Sequence, residues 1–254
     1  MANNYRQNDW NPYLFRSMDG GVTWQNMITP VVKGHCLSIT VDPQNHQLVF
    51  LGTDQGLYVS FNGGTTWKKW KKFPSCPVQD LKIQTTENDL VIGTFGRGIW
   101  IMDDITALRK LTTEISFNKN IQILGSNHGY IFDYNQPNGM RFGADGVWSA
   151  PNKPYGCNVN MYLNKKTEDK KIELTGTVYN SKNQLIRTHK FNFDSSGFYR
   201  ISWRMIEDGF YFPQNQTPKT DETLPSGRTV EPGKYKLVIT DKSNNKDSAF
   251  VEVI

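Results

Sequence analysis

Ser17-Met18-Asp19-Gly20-Gly21-Val22-Thr23-Trp24 returns 43 residues later as Ser60-Phe61-Asn62-Gly63-Gly64-Thr65-Thr66-Trp67. That interval is about the length of one four-stranded propeller blade. An apolar-aromatic strand precedes each copy, Tyr13-Leu14-Phe15-Arg16 and Gly56-Leu57-Tyr58-Val59. A Pro-containing connection and a further strand pair follow each Trp. Leu37 to Val41 leads to Gln47 to Gly52, and Val78 to Ile83 leads to Asp89 to Gly93.

The octapeptide has the chemistry of a hairpin turn. Asp19 or Asn62 can accept hydrogen bonds from the N–H groups of its own turn. Gly20-Gly21 and Gly63-Gly64 enter positive φ with no Cβ penalty. Thr23 and Thr66 open the return strand, where β-branching fits the pleat. Trp24 and Trp67 offer wide apolar faces for packing between blades, each with an indole N–H that needs an acceptor.

The pattern S-x-[DN]-x-G-x-T-W resembles the Asp-box, or BNR, repeat of sialidases and sortilin-type propellers. In those families the box is a folding device far from the catalytic centre. The resemblance therefore implies structural roles for Ser17, Asp19, Gly21, Thr23 and Trp24, and for Ser60, Asn62, Gly64, Thr66 and Trp67. Asn11 to Ser17, Leu51 to Ser60, Pro77 to Leu81 and Glu87 to Thr94 are similar to late blades of bacterial sortilin-like BNR proteins. Gly96-Arg97-Gly98-Ile99-Trp100-Ile101-Met102-Asp103-Asp104-Ile105 is the most distinctive match. Family members often carry His before this Gly-Arg-Gly, where this chain has Phe95. Residues 1–111 are thus expected to form the last two to three blades of a propeller. About four blades are needed to close one, so the rest would lie upstream in a longer protein or come from a partner or oligomer.

Ile105 to Leu111 has helix-like spacing and predicts about one turn of helix. Residues 112–142 read as a connector, and the second domain, 143–254, is expected to start between Gly143 and Trp148. Alternation over Asn158 to Leu163, Lys171 to Tyr179, Leu185 to His189, Phe198 to Arg204, Gly233 to Thr240 and Ala249 to Ile254 predicts a small β-sandwich of immunoglobulin or fibronectin type. Pro151 to Gly156, Gly197 to Trp203 and Val230 to Tyr235 resemble the C-terminal domain of the same BNR proteins and that of flagellar hook-capping proteins. The expected fold class is all-β throughout.

Composition agrees with a folded chain of two ordinary domains. Of 254 residues, 37% are hydrophobic, 13% aromatic and 21% charged, and Gly and Pro are spread as punctuation between short strands. No apolar run approaches the 18 or so residues of a membrane span. Met1 to Trp10 is polar and lacks the basic-then-apolar order of a signal peptide. The net charge of +5 is scattered, which points to a solvated surface. Trp67-Lys68-Lys69-Trp70-Lys71-Lys72 interleaves aromatics with lysines, but the lysines read as strand-edge solvation, so no nucleic acid is expected. Asn215-Gln216-Thr217 fits a glycosylation sequon only weakly. Cys36, Cys76 and Cys157 lack zinc spacing; they are either small buried hydrophobes or, for Cys36 and Cys76, a strand-to-strand bridge.

A sialidase would need an arginine cluster, a Tyr–Glu nucleophile pair and an acid carboxylate. Arg16, Arg97 and Arg109 have no such context. There is no nucleophile elbow, P-loop, dinucleotide fingerprint or EF-hand order, and His35, His46, His128 and His189 read as turn or surface residues. No catalytic, cofactor-binding or metal-binding residue is assigned. The candidate binding residues are Arg97, Trp100 and Asp103, with Phe210 and Tyr211 at the base of the long polar stretch Asp208 to Thr229. The expectation is a secreted, periplasmic or surface-exposed binding or scaffold protein for a protein or glycan. The alternative is the end of an extracellular glycoside hydrolase whose catalytic residues lie upstream.

Overall fold

A computed structural model describes residues 1–111, 119–132, 153–164, 171–211 and 224–254. These residues are almost entirely strand and turn, so the all-β reading holds. The chain divides into two compact units, Met1–Ile115 and Ser116–Ile254.

The first unit begins with β1 (Ala2–Asn4) paired to β2 (Asp9–Tyr13) across a single 3-10 turn, Tyr5–Gln7. A two-stranded piece, β3 (Phe15–Arg16) and β4 (Gln25–Asn26), flanks the first octapeptide. Next comes a four-stranded antiparallel meander of β5 (Cys36–Val41), β6 (Val49–Thr53), β7 (Gly56–Ser60) and β8 (Lys68–Lys69). A three-stranded meander follows, β9 (Val78–Gln84), β10 (Asp89–Thr94) and β11 (Ile99–Met102). The helical turn expected around Ile105 to Leu111 is α1 (Thr106–Lys110).

β6 and β7 are buried along their whole length because apolar residues cover both faces. Side chains alternate across a strand, so Phe50, Leu57 and Val59 enter one core with Val78, Leu81, Leu90, Ile92 and Ile105. Val49, Leu51 and Tyr58 enter the other, with Leu14, Met27, Val32, Cys36 and Trp67. The second and third sheets approach closely at Gly52. A Cβ there would stand 2.3 Å from Ser38 Oγ and 2.6 Å from Val78 Cγ1, and Ser38 Oγ donates to the Val78 carbonyl at 2.8 Å.

The second unit has β12 (Ile121–Ser126), β13 (Cys157–Leu163), β14 (Ile172–Tyr179), β15 (Leu185–Phe193), β16 (Gly197–Trp203), β17 (Ile206–Asp208), β18 (Ser226–Thr229), β19 (Gly233–Asp241) and β20 (Lys246–Val253). One sheet runs β12-β13-β16, another runs β15-β14-β19-β20, and β17 pairs with β18. Val159, Met161, Leu163 and Trp203 from the first meet Leu174, Val178, Leu237, Ile239, Val251 and Val253 from the second in one core.

Two sequence expectations change here. Ile121 to Ser126, read as connector, is a strand paired with β13 from Ile121↔Leu163 to Ser126↔Val159. Its partner is distant in sequence, so no local turn announces it. The polar stretch Asp208 to Thr229 ends in strand β18, held to β17 at Ile206↔Thr229. The expected start of the second domain between Gly143 and Trp148 lies outside the described residues.

Candidate functional site

The two octapeptides close on themselves through the same bonds. Ser17 Oγ donates to Asp19 Oδ1 at 2.8 Å and accepts from Gly21 N at 2.7 Å. Asp19 Oδ1 accepts from Thr23 N at 2.9 Å, and Oδ2 from Thr23 Oγ1 at 2.6 Å. In the second copy, Ser60 Oγ donates to Asn62 Oδ1 at 3.0 Å and accepts from Gly64 N at 2.8 Å. Asn62 Oδ1 accepts from Thr66 N at 2.8 Å. One bond reverses, because an amide nitrogen can only donate: Asn62 Nδ2 gives to Thr66 Oγ1 at 2.9 Å. The four glycines take φ of 70°, 97°, 64° and 89°. The Thr23 hydroxyl, then the Thr23 N–H and the Ser17 hydroxyl, hold the Asp19 carboxyl down at about 2. Such a group is a poor proton donor near neutrality.

The tryptophans of the two copies differ. Trp67 is 4% exposed and donates its indole N–H to the Met27 carbonyl at 2.9 Å. Met27 Cε lies 3.1 Å from the point where a Cβ on Gly64 would stand. Trp24, expected to pack in the same way, is 63% exposed. Its indole N–H meets no protein acceptor among the described residues. With Phe15, Met1 and Ala2 it lines an open cleft. Trp67 packs in one core with Leu14, Met27 and Val32, residues that precede it by about one repeat.

Arg97 sits exposed in the turn between β10 and β11, between Gly96 at φ 85° and Gly98 at φ 69°. Trp100, on β11, donates its indole N–H to the Arg97 carbonyl at 3.0 Å and packs edge-on to Phe73 with centroids 5.3 Å apart. Asp103 lies at the opposite end of β11 from that turn, so the structure does not gather the three into one cluster. Asp103 and Asp104 are also not strand neighbours, since β11 ends at Met102 and Asp104 takes φ 52°. The buried Asp104 accepts from the Thr106 N–H at 3.1 Å and so anchors the start of α1. Phe210 is 92% exposed and Tyr211 partly so; the adjoining residues 212–223 lie outside the described set.

Two features escape a sequence reading. Arg109 grips Asp42, with Nε donating to Oδ2 at 2.5 Å and Nη2 to Oδ1 at 3.0 Å, while Nη1 reaches Asn88 Oδ1 at 2.8 Å. This fixes α1 to the β5–β6 turn. His35, expected as a turn or surface residue, is buried under Tyr5 and Trp10. Its ring stacks on Tyr5 at 4.7 Å, and its Nδ1 lies 3.5 Å from Asp54 Oδ2. The three cysteines are buried free thiols. Among the described residues no cluster of three His, Cys, Asp or Glu could hold a metal, and no helix is long and apolar enough to cross a membrane.

No family model matches the chain. Over 80 residues it is 34% identical to xyloglucanase Xgh74A of Acetivibrio thermocellus, an alignment covering 27% of this chain and 10% of the enzyme. The chain therefore matches about a tenth of that relative's length. Among solved structures it overlaps the extracellular domain of a putative one component system, BT4673, from B. thetaiotaomicron, at 13% identity and TM-score 0.29, covering 94% of this chain and 28% of that one. The extracellular domain of the hybrid two component system BT3049 from the same organism gives 10% identity and TM-score 0.31, covering 95% and 29%. Scores this low carry no functional assignment.

Proposed function

We propose that this chain is a non-catalytic binding or scaffold segment of an extracytoplasmic protein. In this reading residues 1–111 are the last two to three blades of an Asp-box propeller, and residues 143–254 are a sandwich of immunoglobulin or fibronectin type. The observation that carries the reading is the closure of both octapeptides: the Asp19 carboxylate and the Asn62 amide are spent on the N–H and hydroxyl groups of their own turns. Asp and Asn hold the same geometry, so the position needs an acceptor and not an acid.

Other acidic groups of the first unit are engaged in the same way. Asp42 is tied to Arg109, Asp104 to Thr106, and Asp89 accepts from the Asp104 N–H at 2.8 Å. The partner is a protein or glycan, met through Arg97 and Trp100 on one turn, Asp103 at the far end of the same strand, and Phe210 with Tyr211 in the second unit. A second reading, the end of a glycoside hydrolase with its catalytic residues elsewhere, is favoured by the 34% identity to a xyloglucanase.

One experiment tests the non-catalytic reading. The purified chain is incubated with xyloglucan, and released reducing ends are counted beside affinity electrophoresis in a xyloglucan gel. No release is expected. Retardation that weakens in Trp100→Ala or Phe210→Ala identifies a glycan partner, and unchanged mobility removes xyloglucan as that partner. Release of reducing ends that follows the chain through gel filtration contradicts the non-catalytic reading.

A further inference from the structure

Two turns of the first unit bring basic residues to a half-exposed ring. Phe95 N donates to the Pro77 carbonyl at 2.9 Å, which ties the β10–β11 turn to the connection from β8 to β9. Phe73, in that connection, meets Trp100 with centroids 5.3 Å apart, and Trp100 gives its indole N–H to the Arg97 carbonyl. Trp100 is thus held by a ring and a hydrogen bond, yet stays 40% exposed. Successive side chains of a strand point to opposite faces, so Trp100 turns toward Phe73 while Ile99 and Ile101 turn away from it. The surface lies between two sheets that the chain itself supplies.

The lysines of the connection are not all strand-edge residues. Lys68 and Lys69 lie on β8, the edge strand of its sheet, where charge guards an open edge. Lys71 and Lys72 lie past its end, exposed in a turn that the Phe73 N–H closes on the Trp70 carbonyl at 3.1 Å. This turn sets two cations directly before the ring that supports Trp100. Lys69 Nζ reaches Ser75 Oγ at 3.4 Å, which draws a third toward the same connection. Trp67 to Gln79 and Gly93 to Met102 together hold five Lys and Arg and no Asp or Glu. Asp80, which pairs with Gly93, has Oδ1 engaged by the Leu81 N–H at 2.9 Å. A surface of one sign raises the local concentration of anions.

We propose that this surface binds an acidic polysaccharide, with Arg97, Lys71 and Lys72 receiving its carboxylates and the Trp100 indole receiving a sugar face. The inference deepens the binding reading above and rests on it. The half-exposed indole favours a sugar over a bare polyanion. An aromatic face takes the apolar C–H face of a sugar ring, while a guanidinium takes carboxylate oxygens in pairs. A single strand of nucleic acid needs successive rings to stack on, and Trp70 and Phe73 are packed in or against the core instead. The fixed ring also lowers the ordering cost of binding.

Titration of the intact chain with polygalacturonate at low salt, and separately with single-stranded DNA, tests this. The variants are Lys71→Ser with Lys72→Ser, Arg97→Ser, and Trp100→Ala. Lys182→Ser with Lys234→Ser removes the same charge at exposed positions of the second unit. Polygalacturonate is expected to bind, and to bind more weakly as salt rises. The Lys71–Lys72 variant is expected to lose about tenfold in affinity, as for two exposed ion pairs. Arg97→Ser and Trp100→Ala are also expected to weaken binding, and the charge-matched control to bind like the wild type, all with unchanged circular dichroism. Absence of polygalacturonate binding, or a control that loses as much as the Lys71–Lys72 variant, overturns the inference. So does wild-type affinity in Arg97→Ser and Trp100→Ala, or DNA bound as tightly through the same residues. The reading beneath it fails separately. Polygalacturonate shortened by the chain contradicts a non-catalytic role, whereas retardation by xyloglucan without polygalacturonate binding keeps that reading and overturns this inference alone.

Discussion

Arg109 and Asp42, 67 residues apart, form a two-pronged ion pair in which the Asp42 side chain is fully buried. The pair locks α1 onto the β5–β6 turn and closes the end of the core that holds Ile105. Removing one partner leaves a buried charge without its counter-ion, which costs about 3–5 kcal/mol. Asp42→Ala is expected to lower the unfolding free energy in urea by about that amount. Asp42→Leu with Arg109→Met is expected to recover most of it, because apolar residues of similar size replace such pairs at little cost. A double variant as unstable as the single one contradicts this account of the pair.

The Thr23 hydroxyl, first among its partners, holds the Asp19 carboxyl down at about 2, below its ordinary value of 3.8. A carboxyl with a lowered folded pKa stabilises its turn above the unfolded value, and that contribution is lost as pH falls toward 2. Acid titration followed on the Thr23 amide by NMR is expected to show this loss. Asp19→Asn gives the first octapeptide the amide that the second has at Asn62, so its amide shifts are expected to be flat over the same range with the fold kept.

His189 behaves in the same sense, nearer neutrality. Burial, then the Arg187 guanidinium, lowers its pKa from 6.5, with Asp208 opposing. The folded state holds it neutral, so its contribution is complete above 6.5 and declines as pH falls below that value toward the lowered folded pKa. Urea unfolding of the second unit on either side of 6.5 is expected to show the decline, and His189→Gln to reduce it. Equal slopes in wild type and variant remove His189 as the cause.

Cys36, Cys76 and Cys157 are buried thiols, and burial pushes Cys157 up to about 12 and raises Cys36. The thiolate is the reactive form. No thiol is expected to react with Ellman's reagent in the native chain, and all three in denaturant.

What the sequence discloses is local. The glycine pairs disclose the two turns because only glycine accepts two successive positive φ angles at no cost. Alternation discloses β14, β19 and β20, whose buried faces repeat every second residue, whereas β13 is buried at five consecutive positions, Cys157 to Met161. The strand β12 is hidden because Ile121 to Ser126 pairs with residues beyond a long intervening segment. The Arg109–Asp42 grip and the burial of His35 under Tyr5 are equally non-local. The octapeptide discloses the geometry of Asp19 but not the exposure of Trp24, which depends on what stands one repeat earlier. The candidate residues Arg97, Trp100 and Asp103 are close in sequence, yet β11 carries Asp103 away from the other two.

The account rests on two turns of matching geometry with unlike surroundings, and paired unfolding of Trp67→Ala and Trp24→Ala in dilute solution probes that directly. Trp67→Ala is expected to cost about 3–5 kcal/mol, as for other large buried aromatics. Trp24→Ala is expected to stay within about 0.5 kcal/mol, as for exposed sites. Equal losses at the two positions would contradict the account.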